Sequence, residues 1–426
     1  MKLFLNASLP TSSSALKRVN ILFDEEIIKI STDEIILEDE ELEEELEIID
    51  LRGRILLPGA IEIHNHILGE DKSPENALAE AGRHAIKGGW TTMAEMSYFS
   101  KEPIFTLSDF RKLQKKLKGK LYTDTAFWAH VDVTDYPYYA ESAQELWAKG
   151  VVGISLTKPT PNPNIEEMSF DEIMDLFMDI YESDTTFSFQ GWDTDNHKEY
   201  SFEAQENGIK KILRRMQENP IHIPRVSSYP NIDFINGISR RSDISFGMDI
   251  SDLMHFLQPD RFPARWRSDF NDIEHFPLLF ELLKKNRIYL ISNNASDVEC
   301  EQEAYAGNPV EVLSYSYLWI LSELWKERRI PLSTCVKMTS ENPAKRLGLY
   351  PQKGRISVGS DADFVIYDPN KTTDITDIYG NELTLTGAIE SVWLRGKKVD
   401  SDSEPAGKFL ERHTSPKRRH NKRSWM

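Results

Sequence analysis

Two histidines, His64 and His66, stand one residue apart at the end of the apolar run LLPGAIEIHNHI, residues 56–67. On a strand, residues i and i+2 point to the same face, so both imidazoles can reach one point in space. That is half of a metal site. A catalytic zinc takes three protein ligands and keeps one position for water. His130, in AFWAHVDV, offers a third nitrogen, with Asp132, Asp193 or Asp195 as a base beside it. Tyr98, Trp128 and Trp192 either line a pocket for a planar ligand or fill one, because aromatic rings bury large areas. The acidic stretch DTDN, residues 193–196, lacks the glycine and terminal glutamate of a calcium loop and is discounted.

The elements that must hold these residues show in the periodicity. Residues 1–56 read as short strands: VNILF, EEIIKIS, EIILE and LEIIDLRGRILLPG. From Leu56 onward, eight short apolar runs alternate with helix-like intervals. The runs are AIEIHNH, WTTMAEM, LYTDTAFWAHV, VVGISL, TFSFQGW, IHIPRVSS, ISFGMDI and IYLISNN. In the interval SFDEIMDLFMDIYES, Phe170, Ile173, Met174, Phe177 and Met178 share one helical face, and Ser169 with Asp171 and Glu172 makes a polar start. Strands alternating with helices predict a (β/α)8 barrel, which presents chemistry at the C-terminal ends of its strands. His64 and His66 end the first of these. After Arg346, strand-like runs return in GRISVGSDADFVIYDP and GAIESVWLRGKKVD. The pattern predicts an α/β chain: a barrel over 57–346 inserted into a small β-sandwich formed by 1–56 and 347–413, followed by a basic tail, 414–426.

Composition narrows the partners. The chain has 426 residues and a formal net charge of −18, which argues against a general nucleic-acid binder. No apolar run approaches the ~18 residues of a membrane helix. The two cysteines, Cys300 and Cys335, have no metal-knuckle spacing and fit a reducing, cytoplasmic setting. Charge is unevenly spread. EDEELEEELE, residues 38–47, is an acidic run, and KRRHNKR, residues 417–423, is a basic one. The tail reads as a solvated end or as an arm docking on acidic surface within or between subunits.

These residues resemble a known group. LLPGAIEIHNH is similar to the PG-x-I-D-x-H-x-H signature of the cyclic amidohydrolases (dihydroorotase, allantoinase, dihydropyrimidinase) of the amidohydrolase superfamily. KGGWTTMAEM looks like that group's glycine-rich turn, and SENPAKRLGLYPQKGRISVGSDADFVIYDP like its closing segment. The resemblance implies a barrel with a β-sandwich and, in active members, two divalent metals, usually zinc. The H-x-H pair holds one metal. A carboxylated lysine on the fourth strand bridges both, and histidines from the fifth and sixth strands hold the other. An aspartate on the eighth strand shuttles the proton. Two cations lower the pKa of a shared water and polarise the amide carbonyl.

The chain departs from that inventory at most steps. GVVGIS puts Ser155 at the lysine position. Lys158 lies three residues on and would point elsewhere. FSFQGWD puts Gln190 where a ligand histidine is expected, and HIPRVSS keeps His222 but sets Arg225 at the second ligand. SNNAS gives Asn293 for the catalytic aspartate. Glu62 replaces the aspartate before H-x-H, Leu68 the substrate arginine, and Tyr98 the substrate asparagine. Arg225 carries a permanent charge, and two unit charges ~4 Å apart repel by about 4 kcal/mol at an effective dielectric near 20. The reading expects Arg225 to occupy the old cation site, paired with Glu62 or Asp193 and stacked near Trp192 or Trp128. The expectation is a catalytically silent homologue without a cofactor, acting as a scaffold, assembly or ligand-binding protein and forming a dimer or tetramer, with a protein partner possible. The alternative is a metal-dependent hydrolase of cyclic amide C–N bonds with a rearranged site, zinc sitting on His64, His66 and His130.

Overall fold

A computed structural model describes residues 1–11, 15–36, 46–69, 71–160, 162–180, 184–214, 219–226, 228–239, 243–262, 276–296 and 308–412. Cys300, most of the acidic run and the basic tail lie outside these. The N-terminal segment supplies β1 (Lys2–Pro10), β2 (Leu16–Phe23), β3 (Ile27–Ser31), β4 (Glu47–Asp50) and β5 (Ile55–Pro58). The expected strand EIILE is not one over 34–36, and its remainder is not described.

The barrel strands are β6 (Ala60–Asn65), β7 (Trp90–Glu95), β8 (Asp124–Ala129), β9 (Gly153–Lys158), β10 (Phe187–Gly191), β11 (Ile221–Ile223), β12 (Ile244–Asp249) and β13 (Leu290–Ser292). They pair in parallel in chain order from β6 to β13. His66 N donates to Ala295 O at 2.8 Å just beyond β13, bringing the two ends of the sheet together. Helices cover the outside: α1 (Pro74–Gly88), α2 (Leu107–Leu117), α3 (Tyr139–Ala148), α4 (Phe170–Asp179), α5 (Phe202–Leu213), α6 (Tyr229–Ile238), α7 (Ile250–Leu257) and α8 (Phe276–Lys284). Their starts are written in the sequence. Ser169 accepts from Glu172 N while the Glu172 side chain accepts from Ser169 N, the capping box that fixes α4. Gly89 ends α1 at φ 89°, a conformation that favours glycine.

The closing segment adds β14 (Phe364–Thr376), β15 (Glu382–Leu394) and β16 (Lys397–Val399), which join the N-terminal strands in one mixed sheet, β16-β15-β14-β5-β1-β2-β3, with β4 also on β1. Phe4, Phe23, Phe364 and Trp393 form its aromatic centre, with ring centroids 4.6–5.9 Å apart. A buried ionic cluster ties this sheet to the barrel. Lys353 Nζ lies 2.7 Å from Asp124, 2.8 Å from Asp361 and 2.6 Å from Asp363, and Arg395 also binds Asp124. These three aspartates have the spacing of a metal site, but the lysine and arginine already supply the positive charge. Among the described residues no helix is long and apolar enough to cross a membrane.

Candidate active site at the barrel mouth

The sequence-predicted residues converge at the C-terminal ends of the barrel strands. β6 is buried along its whole length, and alternation sends Glu62, His64 and His66 to the interior side. Glu62 Oε1 accepts from His64 N at 2.7 Å, and Oε2 accepts from Asn293 N at 2.6 Å and Asn293 Nδ2 at 2.5 Å. The carboxylate therefore joins the first and eighth strands of the barrel. Burial pushes its pKa up to about 7, the three N–H donors oppose that, and nearby Asp249 adds to it. Both oxygens are engaged by donors, so Glu62 is a clamp rather than a free ligand.

His64 Nε2 lies 2.9 Å from Gln190 Oε1 and 3.0 Å from His66 Nε2. One proton on His64 Nε2, shared between the amide oxygen and the His66 lone pair, satisfies that arrangement. Gln190 thus meets the pair at the position where the resemblance places a ligand. Tyr98 stacks on His66, centroids 5.0 Å apart and planes 16° apart, and its hydroxyl accepts from Ser155 Oγ at 2.8 Å. Tyr98 is buried, and burial pushes its phenol up to about 12. Lys158 does not enter the mouth: Nζ pairs with Glu167 at 2.8 Å and donates to Met168 O.

His130 does not join the pair. Its Nε2 lies 2.7 Å from Met96 O and 3.2 Å from Ser97 Oγ, so that nitrogen carries the proton and donates to the carbonyl. Burial holds the ring's pKa at about 4, so it stays neutral. No His, Cys, Asp or Glu ligand atom among the described residues makes a close trio with His64 and His66. The three-histidine set is therefore not assembled here. His222 stacks on Trp128 (planes 19° apart) with Nδ1 2.9 Å from Ser245 Oγ. Burial, then the charges of Arg346 and His64, hold its pKa well below the ordinary value. Its Nε2 is buried without a protein hydrogen-bond partner, as is Asn293 Oδ1.

Arg225 corrects an expectation. It pairs neither with Glu62 nor with Asp193. Nη2 and Nε reach Asp252 at 2.8–3.1 Å, and Nε lies 3.8 Å from Asp249. The physical reason is proximity: Asp249 caps α7 and Asp252 lies in its first turn, so two carboxylates face the guanidinium from the next strand unit. Asp193 instead binds Lys211 and Asn196. Trp192 is half-buried and packs edge-on against Tyr200, while Trp128 is fully buried and donates to Ile63 O. Leu68 is buried, with its N–H on Glu95. Glu95, Asp249 and Asp252 carried no spacing signal in the sequence. Glu95 accepts from the N–H groups of Ile67, Leu68 and Ser97, and burial pushes it up to about 7.

The donor set decides the fit of a two-ion centre. Two imidazoles, an amide and hydroxyls supply no anionic bridge, and the Glu62 carboxylate on the same strand is taken up by backbone and amide donors. The residues present do not fit two divalent cations.

Comparisons with known proteins agree with the fold. The Amidohydrolase family model matches residues 309–400. The allantoinase of Streptomyces avermitilis is 23% identical over 406 residues, covering 85% of this chain and 89% of that protein. The D-hydantoinase of Ralstonia pickettii is 40% identical over a shorter stretch of 102 residues, 20% of this chain and 22% of its own. The structure of the L-hydantoinase (dihydropyrimidinase) from Arthrobacter aurescens superposes with a TM-score of 0.76 at 20% identity, covering 96% of this chain and 99% of that one. These matches make the chain similar in fold to the hydantoinases and, over most of its length, similar in sequence to an allantoinase, with an Amidohydrolase family match in its closing segment.

Proposed function

We propose that the barrel mouth has given up the two-cation centre of its group, and that the chain is a non-hydrolytic member kept as an assembly or ligand-binding protein. One observation carries this reading. The strand position from which the resemblance expects a bridging lysine holds Ser155, whose hydroxyl is bonded to a buried Tyr98 stacked on His66. The same reading includes self-association into a dimer or tetramer, checked by light scattering of the full chain. The functional test is an assay of protein purified without chelator against dihydroorotate, allantoin, dihydrouracil and hydantoin, with and without added zinc. Turnover no higher than that of His64→Ala is expected. Turnover that His64→Ala abolishes sinks the proposal.

A second reading has its own support. Two nitrogens on one tetrahedral zinc, with bonds of ~2.05 Å, lie ~3.3 Å apart. The His64–His66 separation of 3.0 Å is close to that bite, and Gln190 lies beside it. Relatives named allantoinase and hydantoinase span the same fold. A single-ion hydrolase of cyclic amides is the alternative that the assay distinguishes. The orphaned His222 Nε2 and Asn293 Oδ1 are compatible with a small polar ligand under either reading.

A further inference from the structure

The end of the described chain is a strap across the N-terminal end of the barrel. Gly407 N donates to Leu121 O, Lys408 N to Asp124 Oδ1, and Leu410 N to Thr125 O at 2.7–2.8 Å. Phe409 stacks on Phe127 with centroids 4.7 Å apart. The strap then turns onto α3. Arg412 N donates to Gly150 O, its Nη2 donates to Trp147 O, and its guanidinium sits 3.5 Å above the Trp147 ring. The last described cation, Arg412, is thus seated on the last turn of α3.

What lies on either side differs in sign. α2 and the turn after it carry Arg111, Lys112, Lys115, Lys116, Lys118 and Lys120. α3 and α4 contain no lysine or arginine. They expose Glu141 and Glu145 on α3, and Asp171, Asp175 and Asp179 on α4, and Asp184 lies exposed near Arg412. Met178 is 65% exposed on the same face, and Tyr136 and Tyr138, 71% and 60% exposed, stand at the start of α3. Residues 413–426 follow Arg412 with the sequence HTSPKRRHNKRSWM: five lysines or arginines and no acid.

We propose that the basic segment 417–423 of this chain lies along its own α3–α4 face, continuing the strap and neutralising that face. Reach allows it. The eleven residues from Arg412 to Arg423 extend up to ~36 Å, and a ten-residue helix such as α3 is ~15 Å long. Charge gives the direction: on the other side Arg111 pairs with Glu411 and Lys112 and Lys116 with Glu102, but Lys115, Lys118 and Lys120 remain exposed cations that repel the tail. The tail is covalently held at the end of α3, which raises its effective concentration there over that of any free polycation.

The test is carbodiimide cross-linking of an equal mixture of unlabelled and 15N-labelled full-length protein, read by mass spectrometry. Links from Lys417 or Lys422 to Glu141, Glu145, Asp175 or Asp179, within a single isotope label, are expected. Links between labels mean that a second copy supplies the tail and overturn the proposal, as does the absence of links to this face. Tryptic cleavage within 417–423 gives an independent reading. Asp175→Lys/Asp179→Lys should speed it about five-fold at low salt, as expected for loss of two exposed ion pairs, and an unchanged rate overturns the proposal.

Discussion

If Tyr98 occupies the space a long side chain on the fourth barrel strand would need, Ser155→Lys and Tyr98→Ala should compensate. Ser155→Lys loses the 2.8 Å hydroxyl–phenol bond, worth ~1 kcal/mol. It also drives extra methylenes into a filled region, costing about 1–3 kcal/mol. Tyr98 is 2% exposed and packs on both His66 and His130, so removing its ring should cost about 3–5 kcal/mol. In the double variant the lysine enters space that the ring has left. The combined cost should fall short of the sum by about 1–3 kcal/mol, within the ~0.5–3 kcal/mol typical of groups in direct contact. Urea denaturation followed by circular dichroism, with equal slopes across the set, measures all three. Costs that add to within ~0.5 kcal/mol would refute the reasoning, since that is how independent sites behave.

Glu62→Ala should strand three buried donors, His64 N, Asn293 N and Asn293 Nδ2, and cost at least ~3 kcal/mol in the same denaturation assay. Lys353→Met should cost about 3–5 kcal/mol, because it leaves Asp124, Asp361 and Asp363 short of a cation. His130 has a folded pKa of about 4 against an ordinary 6.5, so the unfolded chain takes its proton first. Its contribution is present above pH 6.5 and is lost as pH falls through 4, about 3 kcal/mol in all. Glu62 and Glu95, raised to about 7, act oppositely and lose stability as pH rises from 4.5 to 7. The two glutamates outweigh the one histidine, so these groups together should lower wild-type stability by about 3 kcal/mol from pH 4.5 to 7, and the wild-type advantage over His130→Gln should shrink between pH 7 and 4.5 in thermal melts.

Much of the fold was legible because period-2 and helical runs alternate in order, and because the closing segment repeats a known pattern. The split of LEIIDLRGRILLPG into β4 and β5 was less so, since only the turn at Arg52 and Gly53 marks it. At the site, the sequence named the residues that meet, His64, His66, Gln190, Ser155 and Tyr98, because strand positions carry over. It misplaced Arg225, whose partners Asp249 and Asp252 belong to a neighbouring strand and helix. Ion-pair choice depends on which carboxylate the fold brings within reach, and local pattern does not encode that. Glu95 was missed for a similar reason: its role is to collect backbone donors from two separate loops.

The most direct test is metal stoichiometry. The protein, equilibrated with excess zinc, passed over a desalting column and measured by plasma emission, should retain less than one ion per chain, and His64→Ala should not change the value. Two tightly held zinc ions per chain, lost on His64→Ala, would contradict the account.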